Sequence, residues 1–110
     1  MDIQKYIKQQ GVFLKAEVVL KNPNAVYEII GEGDLVTSEK FGNERLHLPI
    51  RLGEEEFTFD VSKTNCRFIE SQIKSADTQK WIGRFLLLET YKTKTSEGKL
   101  VDAINVKSVK

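Results

Sequence analysis

The sequence predicts an all-β, β-rich fold: a five-stranded barrel of the oligonucleotide/oligosaccharide-binding (OB) type with a helix between strands three and four. Two observations carry that expectation. Across residues 57–73 the hydrophobic period changes. Phe57, Phe59 and Val61 alternate with polar residues as one face of a strand must, and Phe68, Ile69 and Ile73 then recur at helical spacing. At least three strand-like segments precede this helix and two follow it, which is the element order of that barrel.

Each element has a local reason. Ile3, Tyr6 and Ile7 stand at i, i+3 and i+4 ahead of Gly11, which predicts a short amphipathic helix with a glycine at its C-terminal end. Residues 12–20 are apolar with Lys15 and Glu17 interspersed. They read either as a strand and turn or as a helix ending at Asn22, Pro23 and Asn24. Residues 26–37 are β-rich but interrupted by Gly31 and Gly33, as a bend in a long first barrel strand requires. Phe41, Gly42 and Asn43 form a turn, after which Leu46, Leu48, Ile50 and Leu52 point inward and Arg45, His47, Pro49 and Arg51 outward. Pro49 has no amide hydrogen for a ladder, so this strand is expected to be exposed or bulged there. Gly53 and Glu54 turn the chain into strand three. Ser62 is placed to cap the helix, which runs to about Lys74. Residues 84–93 and 100–109 are strands four and five, joined by a turn at Ser96, Glu97 and Gly98.

With 110 residues and 40% apolar side chains, the chain suits one domain, residues 1–110, in which 1–25 form an N-terminal extension. Seventeen basic and sixteen acidic side chains nearly cancel, so any attraction to nucleic acid or anionic lipid has to come from a local patch. No apolar run reaches the roughly 18 residues that a membrane span needs. Residues 1–10 alternate charged and apolar side chains, unlike a secretory signal, and the expectation is a soluble, cytoplasmic protein without a membrane role. Cys66 is the only cysteine, which rules out an internal disulfide. It reads as a small half-buried helix residue.

The segments SKTN (62–65), DTQKWIG (77–83), GKLVDAINV (98–106) and FLKAE (13–17) resemble a group of small OB-like proteins of archaea, archaeal viruses and bacteriophages. The resemblance covers most of the chain. It implies the OB fold and, by analogy of fold, binding of single-stranded nucleic acid.

Binding of that kind needs aromatic rings for base stacking and cations along the phosphate path, on strands two and three and in the loops after strands one and four. The residues that meet this need are Lys40, Phe41 and Arg45 around the first hairpin, Arg51 on the outer face of strand two, and Tyr91, Lys92, Lys94 and Lys99 around the last hairpin. The competing reading of these cations is protection of strand edges. Trp81 is read as a cap on the barrel bottom rather than a stacking platform, and Glu54, Glu55 and Glu56 as a solvated turn. His47 has neither a second histidine nor a nearby cysteine, so no metal site is expected, and no cofactor. No catalytic motif is present, so the chain does not read as an enzyme. The expected partner is single-stranded DNA, or RNA, bound with little sequence preference. The alternative is a protein partner or a homodimer, reached through an OB-like interaction module without nucleic acid.

Overall fold

The computed structural model describes residues 12–37 and 44–110. The N-terminal helix expected around Ile3, Tyr6 and Ile7, and the turn carrying Lys40 and Phe41, lie outside the described residues. The strands are β1 (Val12–Phe13), β2 (Val26–Ile29), β3 (Asp34–Thr37), β4 (Glu44–Leu52), β5 (Glu55–Val61), β6 (Phe85–Lys94) and β7 (Leu100–Val109). The helices are α1 (Ala16–Lys21) and α2 (Lys63–Ile73), and a 3-10 turn covers Thr78–Trp81. The protein is β-rich, its strands forming one curled, half-barrel sheet. Strand order is β1-β5-β4-β2-β6-β7, with β3 also paired to β4.

The β4–β5 ladder follows from alternation. Leu46 faces Val61, Leu48 faces Phe59 and Ile50 faces Phe57, so six apolar side chains meet on one side of the pair and all six are buried. Tyr27 and Ile29 of β2, Leu86 and Leu88 of β6, Val106 of β7 and Ile69 of α2 complete the core, with Ile104 partly buried against it. The ambiguous apolar stretch after Phe13 resolves into a helix: α1 ends at Asn22, whose amide and side chain both donate to the Val18 carbonyl.

The expected bend in the first strand is a full interruption. β2 pairs with both β6 and β4 and stops at Ile29, and β3 resumes on β4 from Asp34. Pro49 occupies the matching place on β4. Its carbonyl accepts from Ile30 N at 3.0 Å, so the side of the strand that lacks an amide hydrogen faces the gap between β2 and β3, where no ladder bond is forfeited. Gly33 closes the gap with φ +76°, and a Cβ there would stand 2.6 Å from the His47 carbonyl oxygen. Gly33→Ala is therefore expected to lower stability by about 1–3 kcal/mol, read as a lower urea midpoint at unchanged slope. A midpoint equal to wild type would show that β3 can leave β4 at no cost.

Helix α2 starts where expected. The Ser62 hydroxyl accepts from Asn65 N, and Lys74 ends the helix in the left-handed region. The helix lies against β7. Its Asn65 side chain reaches the outer edge of that strand, donating to the Ile104 carbonyl at 3.4 Å and accepting from Val106 N at 3.2 Å. One amide side chain thus substitutes for a neighbouring strand. On the other border of the sheet, β1 runs parallel to β5, pairing Val12 with Phe57 and Phe13 with Thr58. The N-terminal segment therefore supplies a strand of the sheet.

Candidate interaction surface

The outer face of β4 carries Arg45, His47, Pro49 and Arg51, as alternation requires. Both arginines have carboxylate partners. Arg45 Nε donates to Asp60 Oδ1 at 2.9 Å, with His47 Nε2 3.7 Å from the same oxygen, and Arg51 pairs with Glu28 across the β2–β4 ladder. Pairs this exposed contribute only about 0–1 kcal/mol to stability, but they consume the charge. The register adds Asp34 opposite His47 and Glu56 opposite Arg51, and Glu32 stands beside them. Among the described residues this face thus carries Glu28, Glu32, Asp34, Glu56 and Asp60 beside two guanidinium groups that are already paired, an excess of negative charge.

A groove of about 410 Å³ runs along this face. Half-buried His47, Pro49 and Thr58 line it below, and the exposed side chains of Phe13, Val36, Glu32 and Asp34 surround it. Phe13 is 50% exposed, and its ring meets His47 edge to face, with centroids 5.1 Å apart. Its backbone is fixed by the pairing with Thr58 and by Leu14 N donating to Thr58 O at 2.8 Å.

The other candidate cations lie on the β6–β7 hairpin. Lys92 Nζ is 2.7 Å from Asp102 Oδ1, whereas Lys94 and Lys99 have no carboxylate partner among the described residues. Tyr91 is 51% exposed. Alternation puts it on the same face as Ala103 and Val101, and puts Lys92 and Lys94 on the opposite face with Asp102 and Leu100. Tyr91 and those two lysines therefore stand on opposite faces of the hairpin. In the ladder, Arg51 is level with Glu28 and Phe85, and β6 runs from Phe85 to its tip in the direction away from Arg45. Arg45 and the hairpin lysines are not gathered into one patch by this register. Lys40 and Phe41 lie outside the described residues.

Trp81 is buried, and its Nε1 donates to the Ser75 carbonyl at 2.9 Å, so the indole is part of the core below the 3-10 turn. Burial pushes the Cys66 thiol up from its ordinary value, with the Arg45 charge pulling the other way. Among the described residues, no three His, Cys, Asp or Glu side chains are grouped to hold a metal ion, and no helix is long and apolar enough to cross a membrane. Phe13, Glu32 and Asp34 escape a reading of the sequence because the groove joins β1, β3 and β4. Their only local signal is an apolar aromatic beside Val12 at a chain position with no core periodicity.

No family model, curated protein or solved structure matches the chain.

Proposed function

We propose that this protein is an OB-like interaction module that docks on a protein partner through the outer face of β3, β4 and β5. The observation that carries this reading is the charge of that face, which among the described residues has five carboxylates against two arginines already paired. A phosphate backbone laid across it would meet net repulsion and gain little counterion release. The OB assignment rests on connectivity: β2 and β3 act together as one interrupted first strand, joined to β6 by one half and to β4 by both, and α2 falls between β5 and β6.

The second reading is single-stranded DNA or RNA on the β6–β7 hairpin, favoured by Lys94 and Lys99, which have no ion-pair partner among the described residues, and by exposed Tyr91. One titration separates the two. A fluorescent strand of about 20 thymidines is expected to stay free at low salt, where the electrostatic attraction is greatest. Saturable binding whose affinity falls with salt at a log–log slope of roughly −2 to −3, flattened by Lys94→Glu with Lys99→Glu, would establish the nucleic-acid reading in its place.

A further inference from the structure

We propose that the groove beside Phe13 receives a lysine or arginine side chain from an extended, basic segment of a partner protein; the proposal rests on the interaction-module reading above. Three features of the groove converge on that chemistry. Glu32 and Asp34 stand at its rim with no cationic partner among the described residues, and they offer the charge that an ammonium or guanidinium group needs. Val36 and Pro49 supply apolar surface for the methylene stem that carries such a group. Phe13 adds an exposed aromatic ring, which attracts a cation placed over its face.

The ring is also held in advance. Its strand is hydrogen-bonded to β5 and its edge contact with His47 restrains the side chain, so little freedom is lost when a ligand arrives. The acidic rim discriminates as well as attracts, because an anionic ligand would leave Glu32 and Asp34 facing like charge. Glu32 and Asp34 also wall a second cavity, of about 510 Å³, whose other side carries Glu70. Negative charge therefore continues past the groove, and a partner with more than one basic residue is favoured over an isolated cation.

Fluorescence anisotropy with three labelled probes tests this. The first is a peptide of about eight residues alternating lysine or arginine with valine, long enough at ~3.3 Å per residue to cross the face. The second has glutamate in place of every basic residue, and the third is the thymidine strand. The basic peptide alone is expected to bind, more weakly as salt rises. Glu32→Lys is expected to weaken it about tenfold, and Phe13→Ala roughly 3- to 30-fold, the range of a cation over an aromatic face. Both residues are exposed, and unchanged thermal melting of the variants shows that the loss is not one of fold. Absence of saturable binding of the basic peptide at about 1 mM overturns the proposal, as does an affinity that neither variant changes by more than about twofold. Binding of the acidic peptide instead overturns the groove assignment and leaves the module reading intact. Binding of the thymidine strand with neither peptide overturns both.

Discussion

Phe59→Ala is expected to cost the fold about 3–5 kcal/mol, the loss found when a large aromatic is cut back in a core that cannot collapse around the gap. Phe59 lies in the middle of β5, opposite fully buried Leu48, and is itself 3% exposed. Its neighbours on the strand, Phe57 and Val61, are buried too, and the ladder with β4 holds the backbone on which all of them stand. Because the net stability of a domain is only about 5–15 kcal/mol, such a loss removes a large part of it. Urea denaturation should show the transition moving to much lower concentration, and Phe13→Ala, on the exposed β1, should remain within about 1 kcal/mol of wild type. If the two variants were equally stable, Phe59 would not be a core residue.

Asn65→Ala is expected to cost about 2–3 kcal/mol, although the side chain is small and polar. Asn65 is 5% exposed, and its removal leaves the Val106 amide hydrogen, on a residue only 3% exposed, without an acceptor. An orphaned buried donor costs roughly 1–3 kcal/mol, and loss of the weaker bond to the Ile104 carbonyl adds to it. Asn65→Asp keeps the acceptor for Val106 but sets a carboxylate oxygen against the Ile104 carbonyl, so it is not a conservative replacement. Amide hydrogen exchange gives a local readout: the Val106 amide should exchange markedly faster in Asn65→Ala, while those of the β4–β5 ladder keep their protection relative to global stability. Equal exchange at Val106 in both proteins would mean that another group accepts from it.

What could be read from the sequence was whatever depends on neighbours along the chain. The alternation in β4 and β5, the Ser62 cap, the extent of α2, the turns at Gly53 and Gly98 and the span of β7 are each set by residues within a few positions of one another. So was the outward direction of Arg45 and Arg51, because in a strand orientation follows from parity. Their chemistry was not. Arg51 is neutralised by Glu28, 23 positions away, and Arg45 by Asp60, 15 positions away, and only the strand register brings these pairs together. The sequence shows the same number of cations whether they are free for phosphate or already paired. Likewise, the local pattern leaves residues 12–20 open between a strand with a turn and a helix: Val12 and Phe13 become a strand because β5 offers them an edge, and their pairing builds the wall of the groove. Asn65 acts across 41 positions, where its amide takes the place of a backbone neighbour for β7. The sequence determined the β4–β5 and β6–β7 strands and helix α2, since local periodicity and capping decide those. The tertiary structure decided which charges remain available and which edges are covered, since those depend on contacts that only the folded chain makes.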